Sequence, residues 1–171
     1  IFFIDKYRIM NEEYNKICYF SYGSNNIDQL KKRVKNDNII AYKAYLLNYV
    51  RIFSGHSKKW NGSVASLEYI PNEIVKGSVI YLSNDELQKL DKFEGIKDID
   101  PYNTDFSKNV YSRKNIIVNV FFENKFEKIE AITYIRNDNT IKENPKEVYI
   151  KACFENLKQF WDISKEEICE I

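Results

Sequence analysis

Apolar and polar positions alternate along this chain with a period that changes several times, and each change marks an element. Ile17-Cys18-Tyr19-Phe20-Ser21-Tyr22 is a short aromatic-rich run halted by Gly23, the pattern of a buried strand ending in a tight turn. Beyond the turn the spacing lengthens. Ile27, Leu30 and Val34 fall along one helical face with charges opposite, and Asn25 with Asp28 reads as a capping-box-like start. Runs rich in Tyr, Val, Leu and Ile then predict strands over 39–53, 64–70 and 74–82, with the polar stretch 54–62 as a loop. Gly77, inside the last of these runs, predicts a bulge or a close approach of backbone. Ser83 and Glu86 form an S-x-x-E capping box that opens a helix over 83–93, and Gly95 lies where a C-terminal cap belongs. After a polar stretch over 97–110, the pattern predicts strands over 115–122 and 129–135, a long helix over 147–160 and a short capped helix from Ser164.

Several consecutive strands have no helix between them, which favours a mixed α+β sheet or small barrel over a doubly wound fold. The 171 residues contain no repeat, linker or low-complexity segment, so a single domain over 1–171 is expected. Hydrophobic residues make up 44% and aromatics 15%, enough to build a core without disulfides or metals. Lys plus Arg number 26 against 25 Asp plus Glu, a balance that gives no reason to expect nucleic acid or an anionic membrane as partner. A small molecule is the expected partner. Cys18, Cys153 and Cys169 lack C-x-x-C spacing and His56 is the sole histidine, so neither a disulfide framework nor a metal site is expected, and a reduced cytoplasm fits. Asp5, Lys6 and Arg8 interrupt the apolar opening Ile1-Phe2-Phe3-Ile4 well short of a signal or membrane-spanning length.

Against this background Glu94 stands out. At 100° per residue it shares a stripe with Leu87 and Leu90, so a carboxylate occupies a core-facing position in the last turn of its helix. The negative end of the helix dipole and partial burial would both raise its proton affinity, as a general base near neutral pH requires. The alternative is a frayed helix end with Glu94 in solvent. Tyr22-Gly23-Ser24-Asn25 is the second candidate. A glycine there permits unusual backbone angles and close approach of a ligand, and the helix start beyond it offers unpaired N–H groups for a carboxylate or oxyanion. A purely structural turn is the competing reading. His56 reads as a surface residue, and Trp60 with Gly62 reads either as a pocket wall or as a cover over the core.

Taken in order, these segments resemble the gamma-glutamylcyclotransferase family. The family's aromatic strand leading into Tyr-Gly-Ser-Asn is similar to Tyr19-Phe20-Ser21-Tyr22-Gly23-Ser24-Asn25, and its Trp-x-Gly element to Trp60-Asn61-Gly62. Its Leu-Asp-x-x-Glu-Gly motif is matched by Leu90-Asp91-Lys92-Phe93-Glu94-Gly95. A later Tyr, an Ala-x-x-Tyr strand and a Tyr following Pro resemble Tyr111, Ala131-Ile132-Thr133-Tyr134 and Tyr149 after Pro145. The resemblance covers about residues 17–160. It implies a small mixed β-barrel with flanking helices, frequently a homodimer. It also implies conversion of gamma-glutamyl amino acids to 5-oxoproline without cofactor or metal. Glu94 would be the base, with Tyr19, Phe20, Ser21, Tyr22, Gly23, Ser24, Asn25, Tyr111 and Tyr149 around the substrate. Other branches of the family act on gamma-glutamylamines or glutathione, and Asn25 after Tyr-Gly-Ser resembles the dipeptide branch. A non-catalytic binding domain of the same fold is the alternative. The 97–110 stretch is longer than the family has there, and both a lid and a solvated insertion are open readings.

Overall fold

A computed structural model describes residues 16–96 and 110–169, so the expectations for the opening residues and, but for Val110, for the 97–110 stretch as lid or insertion lie outside the described residues. Strands β1 (Ile17–Ser21), β2 (Ala41–Ser57), β3 (Gly62–Leu82), β4 (Tyr111–Phe122) and β5 (Lys125–Arg136) close into a barrel in the order β1-β3-β2-β4-β5. Helices α1 (Ile27–Val34), α2 (Asn84–Phe93), α3 (Glu147–Leu157) and α4 (Lys165–Cys169) flank it. The pattern left a mixed α+β sheet or a small barrel open, and the small mixed barrel that the resemblance implies is the fold. No described helix is long and apolar enough to cross a membrane.

Neighbouring strands are antiparallel except at the closure, where β1 and β5 run parallel and share the single register pair Tyr19↔Ile132. Side chains supplement this short ladder. Thr133 Oγ1 donates to the Phe20 carbonyl at 2.9 Å, and the Tyr22 hydroxyl donates to the Tyr134 carbonyl at 2.5 Å.

Strand alternation sorts β1 into two cores. Cys18 and Phe20 pack with Leu46, Val79 and Val118, whereas Tyr19 packs with Leu30, Val34, Leu87 and Leu90 from α1 and α2. Gly77 is a close approach and not a bulge. It pairs in regular register with Ala44, and a Cβ there would run into the Ser21 carbonyl oxygen and the Phe20 ring.

Two strands expected over 64–70 and 74–82 are one. Pro71, with no N–H for a ladder, reads as a break. The structure instead carries it in an irregularity where register passes from Leu47↔Ile74 to Tyr49↔Tyr69. Asn48 and Asn72 supply left-handed backbone at φ 64° and 68°, and Asn48 Oδ1 accepts from the Asn72 N–H at 3.0 Å. The loop expected over 54–62 shrinks to 58–61, because Ser54 and Ser63 are fully buried strand residues whose hydroxyls donate to Asn139 Oδ1 and to the Glu143 carbonyl. β4 and β5 likewise begin about four residues before the apolar pattern does, and α3 stops at Leu157.

Candidate active site

Glu94 closes α2, and local sequence explains where it stops. Ser83 accepts from the Glu86 N–H and the Glu86 side chain accepts from the Ser83 N–H, which completes the capping box at the start. At the other end Gly95 takes φ 75°, its N–H donates to Lys92, and the Ile96 N–H donates to Asp91. That is a Schellman ending, with Ile96 buried against the helix as its apolar anchor. The ending fixes Glu94 as the cap residue and turns its side chain inward, leaving 11% of it exposed. The frayed-end reading is thereby excluded.

Glu94 lies in the wall of a cavity of about 520 Å³ that also includes Tyr19, the turn 22–25 and Trp60. Burial pushes its carboxyl above the ordinary value of 4.5, nearby Asp91 adds to this, and the Asn25 hydrogen bond with Arg33 pulls the other way. Asn25 Nδ2 donates to Glu94 Oε1 at 2.8 Å and to the Tyr19 hydroxyl at 3.0 Å, while its Oδ1 accepts from Arg33 Nη1 at 2.9 Å. Arg33 can only donate, so it settles which end of the Asn25 amide faces Glu94. No described residue donates to Glu94 Oε2, which leaves that oxygen available to a ligand.

The turn is held from beneath. Arg51 Nε donates to the Tyr22 carbonyl at 2.9 Å, and Asn156 Nδ2 donates to the Gly23 carbonyl at 2.7 Å. A trans peptide places its N–H opposite its C=O, so anchoring these carbonyls inward presents the Gly23 and Ser24 N–H groups the other way. Asn26, and not Asn25, caps α1, accepting from the Gln29 N–H; that frees Asn25 for Glu94. Gly23 does not have positive φ, so the expected need for unusual angles is not met. The space around it is what remains. A Cβ on Gly23 would sit 3.4 Å from the Ala65 Cβ and the Tyr149 hydroxyl, inside the cavity. That hydroxyl accepts from the Ala65 N–H at 2.8 Å and has the Cys153 thiol as a second polar neighbour.

The profile of the family described as Gamma-glutamyl cyclotransferase, AIG2-like, matches residues 19–153. The chain belongs to that family. A curated gamma-glutamylcyclotransferase from Bos taurus is 27% identical over 94 residues, a match spanning 52% of this chain and 50% of that relative. A solved gamma-glutamyl cyclotransferase superposes with a TM-score of 0.68 at 20% identity, covering 84% of this chain and 79% of the other. An uncharacterized Homo sapiens protein gives 0.67 at 22% identity, covering 91% and 88%. At such identities the structural likeness speaks for the fold.

Within this family member, Tyr19, Tyr22, Gly23, Ser24, Asn25, Glu94, Tyr111 and Tyr149 all line the cavity. Phe20 and Ser21 do not. The strand's alternation turns Phe20 into the barrel core, and Ser21 is buried with its hydroxyl donating to the Asn25 carbonyl. Trp60 is a pocket wall, its ring 5.1 Å from that of Tyr149. His56 is exposed, as expected, and its Nδ1 lies 2.8 Å from Glu143 Oε2. Sequence reasoning passes over Arg33, Lys59, Arg136 and Asp138, which also line the cavity, and quotes Tyr134 only as part of the Ala-x-x-Tyr strand. Arg136 donates to both Asp138 oxygens at 2.6 and 2.7 Å and lies beneath Tyr111 at 5.0 Å. Buried Asp91 accepts from the Tyr134 hydroxyl at 2.5 Å, and burial raises its proton affinity too. The sequence signals for these groups are the Leu-Asp-x-x-Glu-Gly motif, which contains Asp91, and the Ala-x-x-Tyr strand, which contains Tyr134; neither says that the two meet.

Proposed function

We propose that the cavity converts gamma-glutamyl amino acids to 5-oxoproline and a free amino acid. The observation that carries this reading is a buried carboxylate, Glu94, joined through Asn25 to a turn whose N–H groups are set by Arg51 and Asn156. The substrate holds both reacting groups, so the site need only fold it into near-attack geometry. Glu94 takes a proton from the α-ammonium, and the freed amine attacks the γ-carbonyl carbon. The new C–N bond closes a five-membered ring. The Gly23 and Ser24 N–H groups receive the developing oxyanion, with the Tyr149 hydroxyl beside them. As the original amide C–N bond breaks, Glu94 returns the proton to the leaving nitrogen, acting first as base and then as acid, and the ring nitrogen gives up its second proton, so that the lactam is neutral and the amino acid departs as an ammonium. Raised proton affinity suits both halves of that cycle.

Glu94→Gln keeps the shape and removes the base. Incubation with gamma-glutamyl-alanine and mass spectrometry of 5-oxoproline should show product from the native protein and a loss of at least about a hundredfold in the variant. Near-native turnover by the variant would sink the mechanism. Ligand binding without any turnover by the native protein would leave a binding domain of the same fold.

A further inference from the structure

Among the described residues the cavity lining carries a surplus of positive charge. It includes Arg33, Lys58, Lys59 and Arg136, with Glu94 and Asp138 as the carboxylates, in a chain with a formal net charge of +1. Arg136 and Asp138 satisfy each other. Among the described residues, Arg33 has Glu94 as its carboxylate neighbour, at 3.8 Å. Lys59 forms no ion pair among the described residues; its ammonium lies over the Trp60 ring at 5.0 Å.

Arg33 and Lys59 converge on one point. With the Gln29 amide turned so that its nitrogen donates to Asn25 Oδ1 at 3.3 Å, its oxygen accepts from Lys59 Nζ at 3.1 Å and from Arg33 Nη2 at 3.2 Å. Two cations therefore share one neutral acceptor. Desolvation, and then the Arg33 charge, pull Lys59 below the usual lysine range, and Glu94 opposes them only in part. A carboxylate oxygen at the place of the Gln29 oxygen would receive two charge-assisted hydrogen bonds and relieve the repulsion. Gln29 is only partly buried and can rotate away.

We propose that Lys59, Arg33 and the Gln29 amide form the subsite for the carboxylate of the departing amino acid, so that this chain selects gamma-glutamyl amino acids over gamma-glutamylamines. The inference rests on the reading that the cavity turns over gamma-glutamyl compounds. In such a substrate the departing carboxyl carbon is two bonds from the amide nitrogen, and the subsite adjoins the base through Arg33.

Gamma-glutamyl-alanine and gamma-glutamyl-ethylamide differ only by that carboxylate. The native kcat/KM should favour the alanine compound by about tenfold or more. Lys59→Met should lower that ratio about fivefold, as loss of a largely exposed cation implies, and Lys59→Glu should bring it to about one or below. Arg33 is a poor probe because it also orients Asn25. A ratio unmoved by both Lys59 variants, with 5-oxoproline still formed, overturns the subsite and leaves the proposed reaction standing. Should the native protein form no 5-oxoproline, the reaction fails, and calorimetric binding of gamma-glutamyl-alanine decides the subsite. Binding weakened by Lys59→Met upholds it; binding that is absent or unchanged overturns it.

Discussion

Glu94 carries a cost that the proposed role as base would account for. Burial raises its proton affinity in the folded state above the ordinary carboxyl value of 4.5. Between those two values the folded chain holds a proton that the unfolded chain has lost, so this group's contribution to stability falls as pH rises through the window. Above it the buried charge is a standing penalty. Glu94→Gln removes the charge yet keeps an oxygen to accept from Asn25. We expect its melting temperature at pH 7 to exceed the native value by about 3 °C, from a gain of roughly 1 kcal/mol. The gain should shrink as pH is lowered toward 4.5, and calorimetric scans across that range check it. A variant less stable than the native protein at pH 7 would contradict the account. With Glu94 as the proposed base, the acid limb of 5-oxoproline formation is expected above pH 4.5, because burial lets Glu94 hold its proton beyond that value; a pH–rate profile checks it.

At the scale of elements, two glycines on either side of the β1 terminus have opposite duties. Gly23 borders the cavity, where a Cβ meets Ala65 and the Tyr149 hydroxyl at ordinary contact distance. Gly23→Ala should therefore fold with a melting temperature within about 2 °C of native, since the backbone angles suit it, while 5-oxoproline formation is largely lost. Gly77→Ala forces the Ser21 carbonyl and Phe20 ring aside and should cost about 1–3 kcal/mol, as overpacked cores do. Thermal denaturation paired with the product assay separates the two; equal effects of both variants on stability would defeat the distinction. The boundaries of α2 are legible in the sequence because Ser83, Glu86 and Gly95 are local signals that act within a turn of themselves. β3 is less so. Pro71 and the buried serines mimic loop chemistry, and only the partner strand with its Asn48 and Asn139 contacts shows how they are absorbed. Glu94 and the turn 22–25 are legible for the same local reason. Arg33 and Arg136 are not, since their meaning lies in residues brought to them by barrel closure: Arg33 meets Glu94, and Arg136 meets Tyr111 and His56.

For the molecule as a whole, the barrel and its helices shield two of the three thiols. Burial pushes Cys18 up to about 12 and Cys153 up to about 11, while Cys169 is exposed. A thiolate is the reactive form, so dithiobis-nitrobenzoate should titrate one thiol promptly in the native protein and the others only as the fold opens. A second thiol reacting as fast as the first would mean that the barrel is not closed as described. Where it opens is foreshadowed by the β1–β5 junction, with its lone register pair. A hoop yields at its least-riveted joint. Here Thr133 and Tyr22 supply the rivets, bonding to the carbonyls of Phe20 and Tyr134, and Tyr22 belongs to the turn that faces the cavity. Whatever grips that turn also clamps the joint, so occupancy of the cavity and closure of the barrel become one equilibrium seen from two sides.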